Sequence, residues 1–162
     1  MRLGRRIAVD VGKARVGLAV CDVHGILASG LATVARATEP SDTIAAVFRA
    51  IDENGLEIVD IIEIYVGLPT NLKGLDTEST RDAILVAQEL ARQTSVEVRM
   101  VDERLSTVSA SAALRSSGIN SKKGRSVIDQ VAATIILEQA IALEKSSGKQ
   151  PGTPIAEFVG EL

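Results

Sequence analysis

Three stretches of the sequence place a carboxylate where an apolar run ends or a helix begins. In "IAVDVGKARVG", residues 7–17, Asp10 closes the apolar run and is followed by Gly12, Lys13 and Arg15. A glycine lets backbone approach a ligand closely, and two cations suit phosphate. A carboxylate beside them would repel that phosphate unless a metal cation sits between. In "VEVRMVDERLST" the apolar alternation ends in Asp102 and Glu103, and open α/β sheets bind ligands at strand ends beside loops. Alternation puts these two acids on opposite faces, so only one can meet Asp10, and the spacing leaves open which. In "VIDQVAATIILEQA" Asp129 shares a helix face with Ala132 and Ala133, small residues that let the face lie tightly on a sheet. An ionised aspartate buried there unpaired is costly, and sharing a metal with other carboxylates resolves the cost.

These acids form an oxygen-only ligand set, which points to Mg²⁺ or Mn²⁺ rather than zinc. Two such ions about 4 Å apart orient an attacking water and stabilise the leaving oxygen of a phosphodiester. Asp10 would then bridge the metals, and Lys13 and Arg15 would hold the neighbouring phosphate backbone. Each acid also has an ordinary reading: a solvated hairpin residue for Asp10, a helix cap for Asp102, a favourable helix-dipole position for Asp129. The single histidine, His24, falls in the turn "DVHG" and is left outside the site. The single cysteine, Cys21, excludes an internal disulfide framework and reads as a small strand residue.

The elements that must position these acids follow from periodicity. Residues 5–11 and 15–21 are β-branched-rich runs separated by "GKA", the spacing of a tight hairpin, and "ILASGLATVARA" supplies a third strand. "EPSDTIAAVFRAIDENG" reads as a helix opened by Pro40 or Ser41, and "IVDIIEIYVG" as a strand running into the loop "LPTNLKG". "TRDAILVAQELARQ" is helical, 96–101 alternates as a strand, and "STVSASAALRSSG" is a short helix. The basic stretch "INSKKGRS" reads as a loop, the last helix as about 127–145, and "SSGKQPGTPIAEFVGEL" as a mobile tail. The order β-β-β-α-β-α-β-α-α implies a mixed five-stranded sheet, three antiparallel strands followed by α/β crossovers, flanked by helices. It is similar to the order of ribonuclease H-like folds. The expected organisation is one domain over 1–146 and a flexible C-terminal tail over 147–162.

Composition sets the outer limits. A chain of 162 residues, 46% hydrophobic and 24% charged, fits one globular domain. The apolar run at 131–143 is interrupted by Glu138 and Gln139 and is shorter than a membrane span. The basic N-terminus lacks a signal-peptide cleavage pattern, which makes the cytoplasm the expected compartment. A net charge of −3 does not announce a nucleic-acid binder. The charge is uneven, however: residues 1–15 carry five cations against Asp10, whereas 52–63 carry five acids and no base. With Phe48, Tyr65 and Phe158 as the only aromatics, a nucleic acid would be held by backbone and shape rather than by stacking.

Four blocks in order, "IAVDVGKARVGLAVCD", "YVGLPTNLKG", "VDERLSTVSA" and "VIDQVAATIILE", resemble the YqgF family of pre-16S rRNA nucleases. That family is also described as Holliday-junction-resolvase-like, within the ribonuclease H-like superfamily. The resemblance spans about residues 5 to 145 and places the catalytic and metal-binding acids on Asp10, Glu103 and Asp129, choosing Glu103 over Asp102. Its loop motif falls on Gly67, Leu68, Pro69, Asn71 and Gly74, with Asn71 implied as a substrate contact. Family members also carry basic residues where this chain has Lys122, Lys123 and Arg125, implying phosphate contacts that weaken with salt. Ser106, Thr70 and Leu75 depart from the usual family residues; none removes an acid, and two fall at the loop motif.

The expectation is therefore a cytoplasmic, Mg²⁺- or Mn²⁺-dependent hydrolase of ester bonds, a two-metal nuclease that uses water and forms no covalent intermediate. The resemblance implies RNA as its partner: the 5′ end of precursor 16S rRNA, in the small ribosomal subunit. Three rivals differ in kind. A structure-specific resolvase would act on branched DNA with the same acids. A phosphoryl-transfer protein would use "DVGKARVGLA" as a phosphate loop, but needs a second related domain. A non-catalytic assembly factor would bind the ribosome without cutting.

Overall fold

The structure, a computed structural model, describes residues 1–69, 77–102 and 122–158, with backbone alone at Lys122, Lys123 and Arg125. Its first two strands are β1 (Arg5–Val11) and β2 (Arg15–Cys21), antiparallel with Asp10 opposite Gly17. Gly12 closes the turn between them. Its N–H donates to the Arg15 carbonyl at 2.9 Å, and a Cβ added there would meet that oxygen at 2.7 Å. The glycine read as making room for a ligand therefore makes room for the turn. β3 (Ala28–Ala35) continues the antiparallel meander.

Helix α1 (Pro40–Glu53) leads to β4 (Ile61–Leu68), which joins the other side of β1 in parallel. Helix α2 (Glu78–Gln93) opens with a reciprocal cap between Thr77 and Thr80 and leads to β5 (Glu97–Asp102), parallel to β4. The last helix, α3, spans Lys122–Ser147. The chain then returns to the sheet as β6 (Thr153–Pro154), antiparallel to β5, giving the order β3-β2-β1-β4-β5-β6.

Two expectations change. Among the described residues the sheet has six strands, because part of the segment expected as a flexible tail pairs with β5 and buries Ile155. The final helix begins at Lys122, so the basic run expected as a loop forms its first turns. Lysine and arginine are good helix formers, and Gly124, read as a loop residue, is buried within the helix. The expected helix at 106–118 lies outside the described residues.

Two faces of the sheet bury different cores. Ile7, Val9, Val16, Leu18, Ile64, Val66, Val98 and Met100 pack with α1 and α2. Ala8, Ala19, Cys21, Tyr65 and Val101 pack with Ala133, Ile136, Leu137 and Ala140 of α3. Small residues on the second face let α3 approach closely. By length and composition, residues 126–147 of α3 are sufficient to cross a membrane. Its inner side nevertheless covers the sheet and carries the buried Glu144, as in the core helix of a globular fold.

Candidate active site

Alternation along β1 puts Asp10 on the face of Ala8, beneath α3, since Val9 and Val11 pack on the opposite face. Its cross-strand partner Gly17 therefore also faces α3. A Cβ at Gly17 would overlap the Asp129 carbonyl oxygen and come within 3.0 Å of the Asp129 Cβ. The backbone of α3 at Asp129 thus rests directly on Gly17, beside Asp10. Two further contacts fix this end of the helix. A Cβ at Gly30 would meet Gln130 Cβ at 2.9 Å. The Thr33 hydroxyl donates to the Ser126 carbonyl at 3.0 Å and accepts from Gln130 Nε2 at 3.2 Å.

Arg15 lies on the same face, two residues from Gly17. Its Nε donates to Asp129 Oδ2 at 2.6 Å. Lys13 is exposed at the tip of the turn and lines a cavity of about 290 Å³ with Arg36, Glu78, Ser79 and Asp82. Asp10, Lys13, Arg15 and Asp129 are thus gathered at one end of the sheet, around the β1–β2 turn and the start of α3. His24 and Cys21 lie at the opposite end of β2, so the donors gathered here are oxygens, suited to a hard divalent cation. Among the described residues two acids come together in this way, and no group of three is assembled.

β5 bears on the choice between Asp102 and Glu103. Asp102 is level with Leu68, which packs on the α1/α2 core, whereas Val101 packs beneath α3. Alternation therefore turns Asp102 to the face opposite Asp10. Glu103 and Asn71 lie outside the described residues. Lys122, Lys123 and Arg125 fall on the first turns of α3, four to seven positions before Asp129.

The sequence model of the family described as "RuvX: Holliday junction resolvase" matches residues 4–143. That span includes both strands of the hairpin and Asp129. The chain belongs to the RuvX family.

Relatives agree over nearly the full length. A protein named "Putative pre-16S rRNA nuclease" from Leifsonia xyli is 46% identical over 160 residues, covering 99% of each chain. One of the same name from Clavibacter michiganensis is 50% identical over 152 residues, 94% of this chain and 91% of that one. RuvC from Thermus thermophilus has a similar fold, with a TM-score of 0.51 at 15% identity over 93% of this chain and 99% of that one. The RuvX-family chain thus has the ribonuclease H-like architecture expected from its element order.

Two side chains near the site escaped the sequence reading. Arg36, just beyond β3, donates to both Asp82 oxygens at 2.8 and 3.1 Å and to the Gly12 carbonyl at 3.0 Å. The hydrogen bonds that Arg36 donates to Asp82 raise the Arg36 pKa despite its partial burial. No periodicity could have paired these residues, because an arginine ending a strand and an aspartate in a helix are each unremarkable locally.

Proposed function

We propose that this RuvX-family chain is a divalent-metal-dependent nuclease that hydrolyses phosphodiester bonds and processes the 5′ end of precursor 16S rRNA in the small ribosomal subunit. The observation that carries the reading is the seating of Asp129 on Gly17, directly beside Asp10. It brings together carboxylates 119 positions apart in the sequence, next to Lys13 and Arg15. The names of the curated relatives supply the RNA substrate.

Asp10 and Asp129 would hold Mg²⁺ or Mn²⁺, with Glu103 as the third ligand; the opposite orientation of Asp102 leaves Glu103 the better candidate. When bound, the cation activates the attacking water and stabilises the leaving oxygen. Lys13 and Arg15 receive the phosphate backbone on the turn side. Lys122, Lys123 and Arg125 would do so from the start of α3, and Asn71 would contact the substrate, as the family resemblance implies. The reaction takes place in the cytoplasm, where ribosomes assemble.

The test is cleavage of a labelled RNA carrying the 5′ extension of 16S rRNA, free and in small-subunit particles, with Mg²⁺, Mn²⁺ or chelator. Wild type should cut with metal, and Asp10→Asn, Glu103→Gln and Asp129→Asn should each be slower by about 100-fold or more. A wild type that cuts a four-way DNA junction but not this RNA would move the substrate to branched DNA, as the family description suggests. Binding to particles without cutting under any condition would instead favour an assembly factor.

A further inference from the structure

The β1–β2 turn is held from both faces of the sheet. On the α3 face, Arg15 pairs with Asp129. On the opposite face, Arg36 spans from the turn to α2. Its backbone N–H donates to the Ala14 carbonyl at 2.9 Å, and Nη1 donates to both the Gly12 carbonyl and Asp82. Nη2 completes a two-pronged contact with the Asp82 carboxylate. The Arg36 side chain therefore fixes the carbonyl at the start of the turn, and its backbone N–H fixes the carbonyl at the end of the turn. Lys13 lies between those two points and shares a small cavity with Arg36 and Asp82.

The same turns of α2 also hold the exit of β4. The Thr80 hydroxyl, two residues before Asp82, donates to the Pro69 carbonyl at the exit of β4. The start of α2 thus holds both the hairpin turn and the strand end that leads toward Asn71. A planar guanidinium can grip a carboxylate with two N–H groups and a carbonyl with another, whereas a lysine ammonium cannot reproduce that fork.

We propose that Arg36 is a positioning residue for the candidate active site: clamped to Asp82, it holds the 12–14 turn so that Lys13 and Arg15 meet the substrate phosphates in register with Asp10 and Asp129. The inference rests on the nuclease reading and adds to it a residue that touches neither metal nor substrate. Displacing a reacting group by about 1 Å costs on the order of 100-fold in rate, so a loosened turn should be visible in kinetics.

The experiment compares wild type with Arg36→Lys, Arg36→Met and the double variant Arg36→Met/Asp82→Leu, each assayed for thermal unfolding, RNA cleavage and the salt dependence of KM. Replacing both partners of an ion pair with apolar side chains is often neutral for stability. The double variant should therefore melt near wild type yet lose on the order of 10- to 100-fold in kcat/KM. Its log KM against log salt should be shallower by about one phosphate contact, the signature of Lys13 out of register. Arg36→Lys should fall between wild type and Arg36→Met. A double variant that melts, cuts and responds to salt like wild type would overturn the positioning role while leaving the nuclease reading intact. A wild type that cuts neither RNA nor branched DNA sinks that reading and this inference with it.

Discussion

Arg15 Nε donates to Asp129 Oδ2 at 2.6 Å, an ion pair between residues 114 positions apart. It joins the hairpin to α3 and gives one of the two gathered acids a cationic partner. The Asp129 side chain is 17% exposed and that of Arg15 37%, so the pair sits at the surface of the site rather than deep within it. On the proposed reading, a divalent cation at Asp129 would compete with this guanidinium, and a substrate phosphate drawing Arg15 away would relieve the competition.

Arg15→Gln should therefore tighten divalent-cation binding while weakening RNA binding. A partly exposed pair is worth up to about 1 kcal/mol, so the tightening should be about fivefold at most. Calorimetric titration with Mn²⁺ reads the first effect and filter binding of RNA the second. Weaker Mn²⁺ binding in the variant would mean that Arg15 orders Asp129 for the metal instead of competing with it.

Gly17→Ala probes the closest approach of α3 to the sheet. The added methyl would overlap a backbone carbonyl, which cannot swing aside as a flexible side chain can. Overpacking of this kind costs about 1–3 kcal/mol. The urea midpoint should fall accordingly, and cleavage should drop more than stability, because α3 must lift Asp129 away from Asp10. A variant with unchanged midpoint and unchanged cleavage contradicts the seating.

At the far end of α3, Glu144 accepts from Arg2 and Arg6. Burial pushes its carboxyl up, but hydrogen bonds from Arg2 and the charges of Arg6 and Arg2 outweigh burial and hold it below the ordinary value of 4.5. A carboxyl depressed by folding contributes stability that is present above its unfolded pKa and lost as pH falls through its folded pKa. The melting temperature should thus decline as pH falls below about 4.5. Glu144→Gln, less stable at neutral pH, should show a shallower decline on acidification. Parallel pH profiles for the two proteins would remove Glu144 from the acid response.

Truncation after Lys149 tests the return of the chain to the sheet. It deletes Gln150, which donates to Glu63 and Glu97 at 2.6 and 2.7 Å, and the Pro151 and Gly152 carbonyls that accept from Arg99. It also deletes the buried Ile155. Burial of one such side chain is worth about 1.5–3 kcal/mol, and leaving a mostly buried guanidinium short of acceptors costs at least about 1 kcal/mol more. A loss of about 3 kcal/mol or more in chemical denaturation is expected. A segment serving only as a mobile tail would give no loss.

Local periodicity made much of this protein legible from its sequence. Alternating β-branched residues specify the meander, and the positions of Asp10 at a strand end and Asp129 on the Ala132/Ala133 helix face follow from repeats of two and 3.6 residues. Those repeats do not report the partner an element meets across the fold. Asp102 could be assigned a face only once Val101 was seen beneath α3 and Leu68 against α1 and α2. The basic run before Asp129 became helix because α3 is long enough to carry it, against the punctuation suggested by Gly124. β6 consists of two residues, too few to show an alternation, and exists because β5 offers it an edge.

The side chains around the candidate site divide in the same way. Asp10, Asp129 and the cations of the turn stand out in the sequence because their types and spacing suit phosphate and metal chemistry at short range. The Arg15–Asp129 pair and the Arg36 clamp on Asp82 and Gly12 were not. Each depends on how closely a helix settles on the sheet. For the Arg15–Asp129 pair that distance is decided by small residues such as Gly17 and Gly30, contributed by separate strands and meaningful only once those strands lie side by side.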